Sequence, residues 1–186
     1  MNQDDLRVQR THRLLREALI DLMDEGDYEQ ITIREITQRA QVGYKTFFRH
    51  YEGKQALFLA IVEESLVAFQ GVLLPATAAQ APERNTLTAV QFAAKNATLM
   101  KAVFRSPFAD ELLAPLVAVG LQEGRAAFSG TGLSDDLVAY HFVSTMISLL
   151  KWWLDHDQPC SAEELAEAIN QLLIRPLENL QKGTVA

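Results

Sequence analysis

Apolar residues recur at helical spacing along most of this chain, whereas runs in which β-branched residues alternate with polar ones are few. A stripe of leucines and alanine between positions 14 and 22 predicts a first helix over residues 4–25. Further helices are predicted over residues 54–74, from 85 or 86 to 104, over 134–155 and over 161–174, with interrupted helical segments between 106 and 128. The pattern therefore predicts an all-α fold of about nine helices.

Prolines and glycines mark where these helices are expected to be interrupted. Residues 75–84 carry a proline near each end with small residues between them, and we expect this segment to be a linker. Pro115 or Gly120 is expected to interrupt the helical segments after residue 106. Pro176 is expected to end or kink the last helix, because proline lacks the N–H that an α-helix uses.

Two short helices joined by a tight turn are predicted between Gln30 and Lys54. Thr32 opens the first helix with a T-x-x-E capping box, in which each side chain covers a free backbone N–H. We expect Gly43 to end the turn, with the positive φ that glycine adopts at little cost. The second helix is predicted over residues 44–50. This is the plan of a helix-turn-helix, whose second helix enters the major groove of DNA while the first braces it on the backbone.

The second of these helices is expected to have one face rich in hydrogen-bond donors. Phe47 and Tyr51, at i and i+4, are predicted to face inward. Tyr44, Lys45 and Thr46 lie at the N-terminal end, where base edges are within reach. Lys45 is suited to donating to guanine O6 and N7, and Thr46 to a thymine methyl group or a phosphate.

Other cations are better suited to the phosphate backbone, which sets register but carries no sequence information. The residues in this group are Arg34, Arg49, His50 and Lys54. Arg7, Arg10 and Arg13 share a face near the N-terminus, either as a phosphate-tracking arm or as an ordinary solvated face. Each of these side chains, taken alone, is more often a plain surface residue, so the prediction rests on their occurrence together.

The run I-T-I-R-E-I-T-Q-R-A-Q-V-G-Y-K-T-F-F-R-H-Y-E-G-K-Q-A-L-F resembles the DNA-binding core of the TetR family of bacterial transcriptional regulators. The positions that agree with the family pattern are Thr32, Ile36, Ala40, Val42, Thr46, His50, Lys54 and Leu57. Three positions depart from it. Thr37 replaces an alanine, Gly43 replaces a serine that caps the recognition helix, and Phe48 replaces a tyrosine that offers a hydroxyl to a phosphate.

This resemblance implies a homodimeric, ligand-responsive regulator, most often a repressor, that binds a pseudo-palindromic operator in double-stranded DNA. It implies a helix-turn-helix domain over residues 1–53 and an effector-binding and dimerisation domain over residues 54–186. In the family the lysine that matches Lys54 meets a DNA phosphate. The resemblance also extends the DNA-binding set to Thr32, Gly43, Phe48 and Tyr51.

The net charge of −7 does not count against DNA binding, because the charge is unevenly distributed. Residues 6–16 contain four arginines and no acidic residue, whereas residues 61–186 contain eight basic and fourteen acidic residues. The local potential at the binding face governs the encounter with phosphate. The first residues lack the apolar core of a signal peptide and no apolar run nears ~18 residues, so we expect a cytoplasmic protein without a membrane partner.

Bulky, soft side chains in the second domain are candidates for the lining of an apolar pocket for an unidentified small-molecule effector. They are Phe69, Phe92, Met100, Phe104, Phe108, Phe128, Phe142 and Met146. Any one of them is more often a core residue than a ligand contact. No cofactor is predicted.

The last two helices are candidates for an intermolecular four-helix bundle, which the family uses to dimerise. In the first of them Trp152 contributes to an apolar side, and Ser144 and Ser148 permit close approach on another. The apolar seam of the second contains Leu165, Ile169, Leu172 and Leu173. The alternative is that both apolar faces are buried within one subunit.

Enzymatic function has little support in the sequence. The motifs of hydrolases, nucleotide-binding loops and zinc proteases are missing, and no catalytic residue is predicted. Asp155 and His156 are neighbours on a helix and diverge by about 100°, so no metal site is predicted there. Cys160 is the only cysteine, which excludes an intrachain disulfide. A second hypothesis, favoured by Phe48 and the acidic net charge, is an all-helical ligand-binding or interaction protein that does not bind DNA.

Overall fold

The computed structural model describes the backbone of residues 3–73, 82–106 and 108–184, and the side chains of 6–68, 85–106 and 108–183. Every regular element in these ranges is helical. The α-helices are α1 Gln3–Glu25, α2 Ile33–Arg39, α3 Tyr44–His50, α4 Lys54–Leu73, α5 Pro82–Lys95, α6 Ala97–Arg105, α7 Ala109–Ala127, α8 Asp135–Asp155, α9 Ala162–Ile169 and α10 Arg175–Thr184. A 3-10 turn at Tyr28–Gln30 precedes α2, and a π-helical turn at Asn170–Ile174 joins α9 to α10 without a break. Counting that continuous rod once, the described ranges hold nine helices, and the predicted fold class is confirmed.

The chain divides into two compact units, Met1–Ser65 and Leu66–Ala186. The first unit contains α1, α2, α3 and the beginning of α4. Its core consists of side chains with no exposed surface, drawn from all four helices: Leu15, Leu19, Ile36, Phe47 and Leu57. Burying each such side chain contributes about 1.5–3 kcal/mol, so the two seven-residue helices are held by their apolar faces rather than by helix propensity.

The turn between α2 and α3 differs from the prediction at one residue. Gln41, not Gly43, has the positive φ, at 52°, while Gly43 has φ −62° and ψ 138°. The N–H of Val42 donates to the carbonyl of Thr37 at 3.0 Å, which is the long bond of a helix C-terminal motif with a left-handed residue at its centre. Because α2 ends at Arg39 with Ala40 as its C-cap, the left-handed position falls at Gln41, and Gly43 is free to be the extended N-cap of α3.

Close approach of two antiparallel helices organises the second unit. A Cβ atom added to Gly124 would lie 3.2 Å from Cα of Ala139, and one added to Gly120 would lie 2.9 Å from Cγ2 of Val143. Gly120 therefore lets α7 approach α8 closely, and α7 continues through it without interruption. Pro115 also lies inside α7 without ending it, and its exposed position lets water solvate the carbonyl that proline leaves without a donor.

Two predicted helix boundaries in this unit were wrong. The predicted linker over 75–84 overlaps α5, which begins at Pro82, a residue suited to the first helical position; residues 74–81 lie outside the described part of the chain. The helix expected to continue to Phe104 is divided at Asn96, whose Nδ2 donates to the carbonyl of Phe92 at 2.8 Å. The backbone N–H of Asn96 donates to the same carbonyl at 3.1 Å, so the side chain adds a second donor there, and α6 begins at the next residue.

Pro176 lies within the last helical rod and does not end it. In the preceding π turn the N–H of Arg175 donates to the carbonyl of Asn170, five residues earlier, instead of to Gln171. A wider turn of this kind relieves the clash between a proline ring and the carbonyl of the preceding turn. The rod therefore continues from Ala162 to Thr184.

Candidate DNA-binding surface

Helix α3 has one buried side and one exposed side that carries cations and aromatic rings. Phe47 is fully buried, whereas Tyr44 and Phe48 are 54% and 47% exposed. The rings of Tyr44 and Phe48 stand edge to face with centroids 5.2 Å apart. Lys45 and Arg49 are exposed beside them. Paired exposed rings flanked by cations form a surface suited to apolar contact with base edges and to charge contact with phosphates.

Helix α2, which packs against α3, is fixed at both of its ends. Thr32 Oγ1 accepts from the N–H of Glu35 at 3.3 Å, and Glu35 Oε2 accepts from the N–H of Thr32 at 2.8 Å, so the predicted capping box is present. At the other end Arg39 donates two hydrogen bonds to the carboxylate of Glu25, at 2.8 and 2.7 Å. These bonds from Arg39 hold the pKa of Glu25 below its usual value. The pair fixes the end of α2 to the end of α1.

A groove of about 710 Å³ lies between α2 and α3. Its lining residues are Arg34, Thr37, Gln38, Val42 and Tyr44. Gln38 is not among the predicted contact residues, although its spacing of four from Arg34 places both on one side of α2. An amide of this kind is suited to an adenine edge, so the groove widens the candidate surface beyond α3.

Tyr51 faces inward, as its spacing from Phe47 predicts, and is 7% exposed. Its hydroxyl lies 2.6 Å from Nδ1 of His12 on α1, and the ring of His50 meets the ring of His12 edge to face at 4.8 Å. Arg16 of α1 is ion-paired with Glu64 of α4 close by. Burial, and then the charges of His50 and Arg16, lower the pKa of His12. Tyr51 and His12 thus join α3 to α1, and Tyr51 does not reach the exposed surface.

The remaining predicted DNA-binding residues lie in different surroundings. Arg34 and Gly43 are exposed, and Thr46 is half-buried. The ammonium of Lys54 donates to the carbonyl oxygens of Tyr28 at 2.7 Å and Glu29 at 3.1 Å. Lys54 is therefore engaged within the first unit.

The candidate effector residues are distributed over several helices. Phe104 and Phe128 are buried, and Phe108 is exposed. Phe92, Met100, Phe142 and Met146 are half-buried, and the side chain of Phe69 lies outside the described residues. Of these residues, the structure brings Phe128 and Phe142 together, with ring centroids 5.1 Å apart.

The predicted dimer seam of the last rod is split between two sides. Leu165, Ile169 and Leu173 are buried where α9 and the π turn pack against α5. These three residues have partners in their own chain, which corrects the seam; Leu172, 72% exposed, is the member that remains accessible. On α8, Ser148 and Trp152 are exposed and Ser144 is half-buried.

Helix α8 has an exposed apolar side among the residues that the structure describes. It is the one described helix long and apolar enough to cross a membrane by length and composition alone, with a mean hydropathy of 1.2 over 18 residues. Only 33% of that 18-residue stretch is buried. Leu137 and Tyr140 are exposed on the same helix. Such a surface is suited to contact with another apolar helix.

The acidic residues at the end of α8 have partners on α6. Asp155 pairs with Arg105 at 3.2 Å, and Asp157 pairs with Lys101 at 2.6 Å. Among the described residues, no group of three or more histidine, cysteine, aspartate and glutamate side chains is placed to hold a metal ion. The acidic residues instead tie two helices of the second unit together.

These features define an all-helical protein of the helix-turn-helix class, with a small unit that carries a recognition helix and a larger helical unit beyond it. Comparison with known proteins narrows the class. Residues 15–61 match the model of the bacterial regulatory proteins of the tetR family. These residues contain the helix-turn-helix described above, and the chain has a TetR-like fold.

The chain is also similar to individual members of this class. It is 30% identical over 181 residues to YxbF, an HTH-type transcriptional regulator of Bacillus subtilis (strain 168), covering 92% of this chain and 46% of YxbF, so the chain spans about half the length of that relative. A TetR-family regulator from Streptomyces coelicolor matches with TM-score 0.71 and 15% identity, over 100% of this chain and 90% of the other. A TetR regulator from Streptococcus agalactiae 2603V matches with TM-score 0.68 and 23% identity, over 91% and 97%.

Proposed function

We propose that this protein is a homodimeric transcriptional repressor that binds a pseudo-palindromic operator and is released from it by a small-molecule effector. The observation that carries the proposal is the exposed face of α3, where Tyr44, Lys45, Phe48 and Arg49 stand together on a helix braced by α2. Operator binding places the site of action in the cytoplasm.

Two kinds of contact follow from this face. Lys45 and Tyr44, at the N-terminal end of α3, are proposed to contact base edges, with Phe48 supplying apolar contact to a thymine methyl group. Arg49 and Arg34 are proposed to bind phosphates. The phosphate contacts set the register of α3 in the groove, while the base contacts distinguish the operator from other DNA.

Dimerisation is supported by the apolar surface that the second unit leaves exposed. Leu137 and Tyr140, three residues apart on α8, share a side with the small Ser144 and with Ser148. Two chains that pair through this side would present two copies of α3. A dimer of helix-turn-helix proteins places these helices in successive major grooves about 34–36 Å apart, which requires a (pseudo)palindromic site.

Release by an effector requires that the ligand prefer one arrangement of the dimer over another, whatever its total affinity. The proposed binding region is the apolar interior of the second unit, around Phe128 and Phe142. Helix α4 begins in the first unit and continues past Ser65 into the second, so it is the proposed route by which ligand binding alters the separation of the two α3 helices.

Selection of bound fragments from genomic DNA, followed by titration of the selected fragment over a salt series, tests the proposal. The expected result is an inverted repeat bound by a dimer, with log affinity falling steeply as log salt rises. Small molecules that the products of the genes beside the selected fragment act on are then tested for their ability to release the protein from that fragment. Weak binding without sequence preference, with and without those compounds, would instead support an all-helical ligand-binding or interaction protein.

Substitution of Lys45 separates base contact from general attraction. Lys45→Ala is expected to lose about 1–3 kcal/mol on the selected operator, the discrimination of one good base contact, and much less on random DNA. Lys182→Ala, an exposed lysine on α10, is the matched control and should leave both affinities unchanged. Equal losses on operator and random DNA would remove the base-contacting role of Lys45.

The dimer is tested by sedimentation. Tyr140→Asp places a charge on the exposed side of α8 and is expected to shift the protein toward monomer, with a loss of operator affinity. Val8→Asp, at an exposed apolar residue of α1, is the matched control for the sedimentation measurement. A Tyr140→Asp protein that remains fully dimeric would show that another surface forms the dimer.

A further inference from the structure

The position of Lys54 is electrostatically unfavourable unless other groups compensate for it. Lys54 is the first residue of α4, and a cation at a helix N-terminus gains nothing from the helix dipole, whose positive end lies there. The structure supplies the compensation from the 3-10 turn. The ammonium Nζ lies 2.7 Å from the carbonyl oxygen of Tyr28 and 3.1 Å from that of Glu29. These oxygens are acceptors at the end of the short turn that leads to α2.

The aromatic ring of Tyr28 completes this contact. Nζ of Lys54 lies 4.4 Å from the centre of the ring, within cation–π range. A lysine ammonium has three N–H donors, so two carbonyl oxygens and one ring face match its bonding capacity. Burial, with a smaller effect of Glu29, raises the pKa of Tyr28 to about 12, so the ring stays a neutral phenol at physiological pH.

The same side of α4 holds Tyr28 from a second position. Phe58 follows Lys54 by four residues, is buried, and packs against the Tyr28 ring with centroids 4.7 Å apart. Lys54 and Phe58, one helical turn apart on α4, therefore both contact Tyr28 of the 3-10 turn. Thr32, the N-cap of α2, follows the turn by two residues. The start of α4 is thus joined to the start of α2 by noncovalent contacts and a short stretch of chain.

We propose that Lys54 is a positioning residue that locks the N-terminus of α4 to the turn before α2, and is not itself a phosphate ligand. This inference rests on the proposed function, because the orientation that Lys54 maintains matters for operator binding. It differs from the role that the family resemblance implies for this lysine. Lys54 acts through α2 and α3, which carry the groups that meet DNA.

These contacts of Lys54, called the lock below, predict that its amine reacts slowly in the free protein, which can be measured without DNA. Limited acetylation of the native full chain, followed by mass spectrometry, compares the amine of Lys54 with that of exposed Lys45 as an internal reference. Lys54 is expected to react several-fold more slowly than Lys45. Addition of operator DNA should slow Lys45 further and leave Lys54 unchanged. A Lys54 that reacts as fast as Lys45 in free protein, and is protected by operator, would overturn the inference.

Two substitutions extend the test. Lys54→Met keeps the length of the side chain and removes the charge; it is expected to lower the melting midpoint by several °C, on the scale of one lost interaction in a domain of this size, and to weaken operator binding without changing its salt slope. Arg49→Met is the matched control at an exposed cation of α3, and it should reduce the slope by about 0.9, the value for one phosphate contact, at an unchanged midpoint. A Lys54→Met protein with a reduced salt slope and an unchanged melting midpoint would overturn the inference.

A separate variant covers the case in which Lys54→Met does not fold. Tyr28→Leu removes the ring and keeps both carbonyl groups, and it is expected to increase the acetylation rate of Lys54 without touching any cation. An unchanged acetylation rate would overturn the role of the ring in the lock. The outcomes also separate the two proposals: slow acetylation of Lys54 in a protein that binds no operator would reject the proposed function and keep the lock, whereas operator binding with a fast, DNA-protected Lys54 would do the reverse.

Discussion

The two units of the chain differ in how each one is stabilised internally. In the first unit polar contacts join neighbouring elements: Arg39 of α2 to Glu25 of α1, Lys54 of α4 to the 3-10 turn, and Tyr51 at the end of α3 to His12 of α1. In the second unit longer helices pack over broad faces, and Gly120 and Gly124 bring α7 close to α8. Helices shorter than about 12–15 residues are marginal on their own, so the two seven-residue helices depend on their buried apolar faces and on the caps and polar contacts at their ends. The comparison indicates that polar contacts supplement a small apolar core in the first unit, whereas close approach of long helices organises the second unit.

The largest expected effect tests the core of the first unit. Phe47→Ala removes a fully buried ring and is expected to cost about 3–5 kcal/mol of unfolding free energy, with loss of operator binding. Phe48→Ala, at the adjacent exposed ring, is the matched control and should leave stability nearly unchanged. Urea unfolding of both variants makes the comparison. Equal stability losses would mean that Phe48 is buried in the working protein.

The next prediction tests the fit of faces in the second unit. Gly124→Val places side-chain atoms against the backbone of Ala139, and overpacking of this kind is expected to cost about 1–3 kcal/mol. Gly183→Ala, where an added Cβ meets no atom within 4 Å, is the control and should not destabilise the protein. Thermal unfolding of the two variants gives the result. A neutral Gly124→Val would show that α7 and α8 can separate at little cost.

A smaller effect compares helix caps in the two units. Thr32→Ala removes the capping box of α2 and is expected to cost about 1 kcal/mol. Ser134 occupies the N-cap of the 21-residue α8 without a side-chain cap hydrogen bond, so Ser134→Ala should cost less. Denaturant midpoints of the two variants rank them. The reverse ranking would contradict the view that short helices depend most on their caps.

The smallest effect concerns pH. The pKa of His12 is lowered in the folded protein, first by burial and then by the charges of His50 and Arg16, so the unfolded chain takes up this proton first. Stability is therefore full above about pH 6.5, the usual histidine pKa, and falls as the pH drops through that value toward the folded pKa. Urea midpoints at about pH 7.5 and about pH 5.5 measure the loss, bracketing the usual value. His12→Gln should show a smaller decline over this range; an identical decline would assign the effect to other groups.

Local signals in the sequence were sufficient where the structure depends on neighbouring residues. The capping box at Thr32 and the bounds Tyr44–His50 of α3 were both predicted, because caps and short apolar stripes act within a few positions. The position of Gln38 in the groove beside Tyr44 was not predicted, because it depends on how α2 and α3 cross. The contacts of Lys54 join positions about 25 residues apart, which periodicity does not relate.

The faces of the last rod show the same limit. The spacing of Leu165, Ile169 and Leu173 predicted an apolar stripe, and the structure has that stripe. An apolar stripe at helical spacing indicates that the face is buried. It does not indicate whether α5 of the same chain or a second copy of the chain buries it. The division at Asn96, where both the side chain and the backbone N–H donate to the carbonyl of Phe92, is likewise not revealed by propensity alone.

The π turn before Pro176 acts as a change of phase within a single rod. An α-helix advances by about 100° per residue, so an extra residue in one turn offsets all later side chains by about that angle. Before the turn the rod places Ile169 against α5; after it, Gln181 donates to the carbonyl oxygens of Ala127 and Ser129 at 3.0 and 2.8 Å. One helix thus joins two separate parts of its unit. Deleting a single residue of the turn would keep the sequence of each part and yet misalign one of these attachments.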